Sequence, residues 1–426
     1  MTGLVDTGLV EAGADSASSS AIEEVAGAAA THPSSSDART QVPVIVVGAG
    51  GLLAGELMRL VLQHPLLRLH AAATRSGAEA LSALHPHLGG ERLRTVPVDE
   101  VPDVVQACVG DAGDAGDAGD AVDAGDAGAE SPDAATAEPA GVLFLCLPHG
   151  ASAAVWRDLR ARLGAAVYRL VVVDLAADYR LAALADHERW YGVHRDPDEL
   201  GGFVYGLPEL PESRRRLPGA RRIAAPGCFA TALQLSSVPL AAAGCVAPDA
   251  GPWTFHAITG SSGSGAKPSP NAHHPHRNAN VRSYAHDGHR HEAELLQALR
   301  AVVAEDRMPE VVLRPASGPY VRGIHLTAVL PLAEGTTLQE ARDVLARAYV
   351  DVPFVEVCDD ATPELRAVVG SNRAQLACHE RAGLLFVTCV LDNVLKGGSG
   401  QAIQALNLAL GLPESTGLPL HALGAI

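Results

Sequence analysis

The run Val42-Pro43-Val44-Ile45-Val46-Val47-Gly48-Ala49-Gly50-Gly51-Leu52-Leu53-Ala54-Gly55-Glu56-Leu57 decides how the first half of the chain folds. It begins with six apolar residues, most of them β-branched, a pattern typical of a strand buried on both faces of a parallel sheet. Glycines follow directly, and helix-forming residues come next. This order suits a dinucleotide, because a pyrophosphate needs bare backbone and the N-terminus of a helix. The turn residues predicted to contact such a cofactor are Gly48, Gly50, Gly51, Leu52 and Leu53.

The glycine spacing departs from the usual G-x-G-x-x-G pattern, since Leu53 stands at the third glycine position. The spacing Gly48-x-x-Gly51-x-x-Ala54 fits better, and a tight turn without a ligand stays a second interpretation. The next predicted strand, 67–73, ends in Thr74-Arg75-Ser76. An acid at this place would favour NAD, whereas an arginine and hydroxyls suit a 2′-phosphate. The sequence therefore favours NADP, with a solvated loop as the alternative.

The later segments indicate two domains. Apolar runs at 141–147 and 170–175 continue the pattern of a parallel sheet, and both end in small or polar residues. After residue 225 the predicted strands and helices lose their strict alternation, which is typical of an α+β domain. The predicted fold class is α/β. A Rossmann domain spans 42–224, an α+β domain spans 225–394, and a last helix at 395–426 returns to the Rossmann domain.

Two acidic segments produce most of the net charge of −17. Residues 1–41 are rich in Ala, Ser and Gly and carry a net charge of −5, and we predict a disordered tail there. Residues 110–139 hold an Asp-Ala-Gly repeat that begins at Asp111, which predicts a low-complexity surface insertion. The rest of the sequence is close to neutral. It therefore shows no cluster of positive charge of the kind that would predict nucleic-acid binding.

The composition also indicates the cellular compartment. No apolar run approaches the ~20 residues that a membrane-spanning helix needs, and the N-terminus lacks the pattern of a secretory signal. The seven cysteines are scattered without a CxxC pair, which indicates a reducing compartment. The expectation is a cytoplasmic protein without a membrane partner.

The stretch Ala225-Pro226-Gly227-Cys228-Phe229-Ala230-Thr231 carries the candidate nucleophile. A tight turn followed by helix formers places Cys228 at or near a helix N-terminus, where a thiol is expected to ionise more easily. A buried structural cysteine is the competing interpretation, since free cysteines are often buried.

Six histidines lie between His273 and His291, but no cysteine accompanies them, so we expect no metal. A histidine that exchanges protons with Cys228 is the simpler interpretation. A cysteine nucleophile beside a dinucleotide site suggests that a thiolate attacks an activated acyl carbon such as an acyl phosphate. Phosphate leaves, and hydride then reduces the thioester to an aldehyde.

Several motifs occur together in one order. They are the glycine turn with Glu56-Leu57, Thr74-Arg75-Ser76, His85-Pro86-His87-Leu88, Leu147-Pro148-His149-Gly150, Asp174-Leu175-Ala176-Ala177-Asp178-Tyr179-Arg180, Tyr205-Gly206-Leu207-Pro208-Glu209-Leu210, Pro226-Gly227-Cys228, Gly263-Ser264-Gly265, His289-Arg290-His291-x-x-Glu294, Arg322-Gly323-Ile324, and Asp392-Asn393 with Lys396-Gly397. With these motifs the chain resembles the N-acetyl-γ-glutamyl-phosphate reductase family of arginine biosynthesis, within the wider semialdehyde dehydrogenases. The resemblance runs from about residue 42 to 413, without the acidic insertion.

The resemblance implies NADPH as cofactor, an α+β domain that holds the catalytic groups and the oligomer contacts, and a dimer or tetramer. Cys228 carries over as nucleophile, and His291 is preferred over His289 as acid and base because Glu294 could orient its ring. The residues implied around the cofactor are those of the glycine turn, Thr74, Arg75, Ser76, Pro148, Asn393 and Gly397. The residues implied near the acyl or phosphate group are Ser262, Gly263 and Arg322.

The chain departs from the family pattern at Ala225, where Asn is usual, at Ala230, where Pro is common, at Leu52 and at Gly398-Ser399. The first two flank Cys228, so they put the acyl substrate in question. An N-succinyl substrate, or a glutamyl or aminoadipyl phosphate on an acidic carrier protein in lysine biosynthesis, is the first alternative. A non-catalytic NADP-binding regulator is the second, and a Cys/His hydrolase comes last.

Overall fold

The computed structural model describes residues 41–110, 138–359 and 361–424. The predicted tail and insertion therefore lie outside the described residues, apart from Gln41, Gly110, Glu138 and Pro139. Within the described ranges, no helix is long and apolar enough to cross a membrane.

The first half forms a parallel sheet of seven strands in the order β3-β2-β1-β4-β5-β7-β6. Its strands are β1 Val42–Val47, β2 Leu67–Thr74, β3 Val96–Pro97, β4 Gly141–Leu145, β5 Leu170–Asp174, β6 Val204–Tyr205 and β7 Arg222–Ala224. Its helices are α1 Leu52–Gln63, α2 Leu81–Leu84, α3 Val101–Val109, α4 Ala151–Leu163, α5 Leu184–Tyr191 and α6 Pro211–Arg216. Strands β4 and β5 are buried along their whole length, as continuous apolar runs between two helical layers should be.

The second half forms a mixed sheet of seven strands in the order β12-β13-β14-β11-β8-β10-β9. These are β8 Trp253–Thr259, β9 Arg282–Ser283, β10 Val311–Ser317, β11 Ile324–Pro331, β12 Val355–Val357, β13 Ala374–Arg381 and β14 Leu384–Leu391. The helices are α7 Cys228–Ala242, α8 His274–Arg277, α9 His291–Leu299, α10 Leu338–Tyr349 and α11 Gly400–Ala409, and a π-helical turn spans Leu395–Ser399.

Alternation along β11 explains how this second sheet packs. Ile324, Leu326, Ala328 and Leu330 are fully buried, while the residues between them are half-buried. One face thus meets the helices, and its core includes Phe229 of α7. The predicted α/β class, a Rossmann domain followed by an α+β domain, is confirmed.

Helix α11 returns to the first sheet. Its residues Ala402, Ile403 and Leu406 share one hydrophobic core with Val44 of β1 and Leu57 of α1. The π-helical turn leads into α11 and contains Lys396, which is completely buried.

A network of hydrogen bonds holds the buried lysine. Its Nζ lies 2.6 Å from Oε1 of Glu209 and 2.7 Å from Oε1 of Gln404, and Gln404 also donates to Glu209 over 2.9 Å. Burial lowers the pKa of Lys396, and the carboxylate of Glu209 opposes that effect. Because the pair is buried, removing either charge leaves the other without a partner.

We therefore expect Lys396→Met to lower the free energy of unfolding by roughly 3–5 kcal/mol, since it leaves the buried Glu209 carboxylate without a charged partner. Chemical denaturation measures the loss. The control is the double variant Lys396→Met with Glu209→Leu, which removes both charges and should regain most of the stability. Equal losses in the single and double variants would contradict a role for the ion pair.

Candidate functional site

A cleft of about 1100 Å³ lies between the glycine turn and the second sheet. It brings together residues that are far apart in sequence. The predicted site residues that line it are Leu52, Leu53, Cys228, Ser262, Gly263, His289, His291, Asn393 and Gly397. The cleft therefore unites predicted cofactor, substrate and catalytic residues in one place.

Cys228 is the first residue of α7, and Gly227 is the N-cap. A Cβ atom on Gly227 would collide with Nε2 of His291 and lie 2.7 Å from Oε1 of Glu294. Only glycine therefore allows the imidazole to lie against the turn. Gly397 approaches from the other side, where an added Cβ would lie 2.8 Å from Cβ of Cys228.

The resting thiol is not easily ionised, contrary to the expectation from its helix position. Burial raises the pKa of Cys228, and the charge of Arg180 and the N–H of Phe229 only partly oppose this. The N-terminus of α7 is also already partnered, because the Gly227 N–H donates to the Glu294 carboxylate over 2.9 Å. The helix end therefore has less positive charge to offer the sulfur.

Both candidate histidines are neutral at neutral pH. Burial lowers the pKa of His289 to about 4, helped by the charge of Arg290. Burial also lowers the pKa of His291 well below its usual value, and the neighbouring His289, Arg180 and Arg290 act in the same direction. The backbone N–H of His291 donates to Nδ1 of His289 over 3.2 Å, so His289 supports the start of α9.

Glu294 is almost fully buried and holds the turn more directly than it holds His291. Its carboxylate accepts hydrogen bonds from the Tyr205 hydroxyl over 2.8 Å and from the Gly227 N–H, and it pairs with Arg180 over 3.4 Å. Its Oε1 lies 4.0 Å from Nε2 of His291, which is longer than a hydrogen bond. The carboxylate can thus favour an imidazolium by charge without fixing the ring.

The glycine turn has the shape that a pyrophosphate needs. Gly48 has φ +90°, and a Cβ there would collide with the Cys146 carbonyl oxygen. A Cβ on Gly50 would meet nothing within 4 Å, so the turn faces open space. No side chain caps the N-terminus of α1 at Gly51, which leaves the first N–H groups of the helix available to an anion.

The other predicted cofactor residues lie in different surroundings. Arg75 lines a second cavity of about 500 Å³ with residues of α3 and α4. Ser76 and Pro148 are exposed. Thr74 is buried, and its hydroxyl accepts the Gly77 N–H over 3.0 Å, so it shapes the loop that carries Arg75.

Ser262 and Asn393 are joined at the edge of the cleft. The Asn393 amide donates to the Ser262 hydroxyl over 2.9 Å, and its oxygen accepts the Gly323 N–H over 2.7 Å. The predicted place of Arg322 beside the acyl or phosphate group has no support, because its guanidinium pairs with Glu56 and Asp392 instead. That cluster joins α1 of the first domain to the end of β14.

The two alanines that flank Cys228 do not face the cleft. Ala225 is 1% exposed and Ala230 is 0% exposed, and neither lines the cavity. The question that these two departures raise about the acyl substrate therefore concerns packing around the turn, because neither side chain contacts the cleft directly.

Sequence reasoning missed the charge of the cleft. Four arginines line it, and no aspartate or glutamate does. They are Arg180, Arg277, Arg282 and Arg290. A signal was present, since Arg180 ends one family motif and Arg290 lies between the two candidate histidines. The described residues hold no group of three His, Cys, Asp or Glu side chains placed to bind a metal ion.

Two models of the semialdehyde dehydrogenase family match the chain, the NAD binding domain at residues 43–216 and the dimerisation domain at residues 228–393. An N-acetyl-gamma-glutamyl-phosphate reductase of Saccharopolyspora erythraea is 38% identical over 89% of this chain and 98% of that protein. A putative LysW-L-2-aminoadipate 6-phosphate reductase of Thermomicrobium roseum is 36% identical over 88% of this chain and 97% of that protein.

Among solved structures, aspartate semialdehyde dehydrogenase II of Vibrio cholerae, complexed with ASA, has a TM-score of 0.57 at 13% identity. The match covers 88% of this chain and 99% of that one, and it shows a shared fold. With its two matching domains and its close sequence relatives, the chain belongs to the semialdehyde dehydrogenase family, in the branch of the N-acetyl-γ-glutamyl-phosphate reductases.

Proposed function

We propose that the chain reduces N-acetyl-γ-glutamyl phosphate to N-acetyl-glutamate semialdehyde with NADPH, through a thioester on Cys228, in arginine biosynthesis. The observation that carries the proposal is the placement of Cys228 and His291 in a cleft that also meets the glycine turn and is lined by arginines without a carboxylate. Such a cleft suits an anionic acyl phosphate beside a nucleotide cofactor.

In the proposed acylation step, neutral His291 takes the proton of the Cys228 thiol, and the sulfur attacks the acyl carbon. The bond from that carbon to the phosphate oxygen breaks, and phosphate leaves with its electron pair. The Glu294 carboxylate, 4.0 Å from Nε2, stabilises the imidazolium that forms. Because its pKa is lowered, the His291 ring is unprotonated at neutral pH and is able to accept the proton of the thiol.

When bound, NADPH supplies the hydride that reduces the acyl carbon. The chain's own groups then complete the reaction: the bond from carbon to sulfur breaks, the aldehyde leaves, and His291 returns its proton to the sulfur. We assign the pyrophosphate to the turn from Gly48 to Leu53 and the 2′-phosphate to Arg75 and Ser76. The second cavity beside Arg75 has room for the adenosine end.

The wider setting of the proposal follows from the family and the thiols. The matching dimerisation domain supports a homo-oligomer. All seven cysteines are free thiols, which supports a reducing compartment such as the cytoplasm. A purely regulatory NADP-binding protein would not need Cys228 and His291 in contact with one cleft.

The similarity to the Thermomicrobium roseum protein supports an aminoadipyl phosphate on a carrier protein as the alternative substrate. Assays of N-acetyl, N-succinyl and carrier-linked acyl phosphates with the same enzyme preparation separate these substrates. Appreciable turnover of the carrier-linked compound alone would overturn the choice of the N-acetyl substrate while leaving the thioester chemistry intact.

The thioester predicts a trapped adduct. When the wild-type enzyme is incubated with acyl phosphate in the absence of cofactor and then quenched, the peptide that carries Cys228 should gain the mass of the acyl group. Cys228→Ser should show no adduct and lose reductase activity by more than about a thousandfold, because an alkoxide is far harder to form than a thiolate. An adduct at another cysteine, or full activity of the serine variant, would contradict the assignment.

The two histidines should respond differently. We expect His291→Asn to lower kcat/KM about 10²- to 10⁴-fold, the usual contribution of a general acid and base, and His289→Asn to lower it much less. Because the pKa of His291 is lowered, the acid limb of the wild-type pH profile should lie below about 6.5. A larger loss in the His289 variant would reverse the assignment.

The role of Arg75 predicts a change in cofactor preference. Arg75→Ala should weaken NADPH binding roughly 10- to 100-fold, because it removes a charge-assisted hydrogen bond to the 2′-phosphate. NADH binding by the same variant is the control and should stay unchanged, since NADH lacks that phosphate. Calorimetric titration measures both affinities without turnover, and equal losses for both cofactors would contradict the role.

A further inference from the structure

The four arginines of the cleft differ in what already holds them. Arg180 is buried and donates to the carbonyl oxygens of Ala225 over 2.8 Å and of Leu175 over 3.1 Å, besides its pair with Glu294. Its donors therefore face protein groups. Its positive charge reaches the cleft, but its hydrogen bonds are used to hold the turn before Cys228.

Arg277 is held as firmly. One of its terminal nitrogens donates to the Ser317 hydroxyl, and the other donates to the Gly318 carbonyl oxygen over 2.5 Å. This arginine is the last residue of α8 and ties that helix to the end of β10. Arg282 lies on β9 itself, whose backbone pairs with β10 at the edge of the sheet.

Arg290 is different. It is exposed at the N-cap of α9, and its guanidinium lies 5.7 Å from the ring centre of Tyr191. Among the described residues, no carboxylate, carbonyl or hydroxyl group receives a hydrogen bond or an ion pair from it. An arginine steadied by an aromatic face, with its donors directed at no protein acceptor, is suited to bind an anion.

The position of Arg290 fits the leaving group. It lies between His289 and His291 in sequence, and its charge acts on Cys228, Tyr284 and His149, which all line the same cleft. The departing phosphate gains negative charge as its bond to the acyl carbon breaks. A cation near the nucleophile can stabilise that charge. No carboxylate in the lining competes for it.

We propose that Arg290 binds the phosphoryl group of the acyl phosphate and stabilises the phosphate as it leaves. Two N–H groups of its guanidinium donate to two phosphate oxygens, a geometry that lysine cannot copy. The bond from the acyl carbon to the phosphate oxygen breaks while Cys228 forms its bond to that carbon. This inference rests on the proposed function and adds the residue that recognises the leaving group.

The test uses inorganic phosphate as the probe and needs neither cofactor nor turnover. Iodoacetamide alkylates Cys228, and mass spectrometry of its peptide follows the rate with increasing phosphate. In the wild-type protein, phosphate beside the thiol should slow alkylation in a saturable way. Arg290→Gln should weaken this protection roughly 10- to 100-fold, and Arg290→Lys should lie between, since it keeps the charge but loses the fork.

A matched control is available in Arg189→Gln. The guanidinium of Arg189 lies 5.7 Å from the ring centre of Trp190, but this arginine does not line the cleft. In the Arg189→Gln variant, phosphate should slow the alkylation of Cys228 as much as it does in the wild type. Thermal unfolding of all variants checks that they are folded.

Three results would overturn the proposal: wild-type protein that phosphate does not protect, Arg290→Gln that is protected as well as the wild type, or loss of protection in Arg282→Gln instead. A separate assay of acyl-phosphate reduction by the wild-type enzyme tests the proposed function. If that assay fails while phosphate still protects Cys228 from alkylation, the proposed substrate is wrong and the anion site at Arg290 is retained.

Discussion

The buried carboxylate of Glu294 is the interaction on which the site depends. It meets Arg180 from the first domain, the Tyr205 hydroxyl from β6, and the Gly227 N–H at the start of α7. Arg180 in turn donates to the Ala225 carbonyl oxygen, so the turn before Cys228 is held from both sides. A buried ion pair is costly to desolvate, and it persists here because hydrogen bonds satisfy both partners. Cys228, the proposed nucleophile, is therefore placed by a polar network that joins the two domains.

A second set of polar contacts holds the helix after the glycine turn against the second domain, beside the cleft. Arg322 pairs with Glu56, which lies one turn along α1 from the glycines, and with Asp392 at the end of β14. The next residue, Asn393, bonds Ser262 at the edge of the cleft. Three separate sequence motifs thus meet in one cluster. Because the charges are largely shielded from water, this contact resists sliding of α1 against the second sheet.

The sequence was most informative where local chemistry decides the structure. The buried strand before Gly48, the open turn at Gly50 and the placement of Cys228 at a helix start all depend on residues close together in the chain. The roles of Arg322 and Ala225 could not be read in this way, because they depend on neighbours more than 40 residues distant in sequence. Motif order indicates which residues belong to a site, and packing decides which side chains face it.

The thiol shows the same limit in its electrostatics. A helix N-terminus favours a thiolate, but the sequence does not reveal that Glu294 already partners the Gly227 N–H or that burial raises the pKa of the Cys228 thiol, which lies half-buried in the cleft. With both effects present, burial raises the pKa of Cys228 while it lowers that of His291. The pair therefore rests as neutral thiol and neutral imidazole, and a neutral thiol is less open to oxidation than a thiolate. In the proposed mechanism, a charged pair then forms only as the sulfur attacks the acyl carbon, which would tie activation of Cys228 to the presence of substrate.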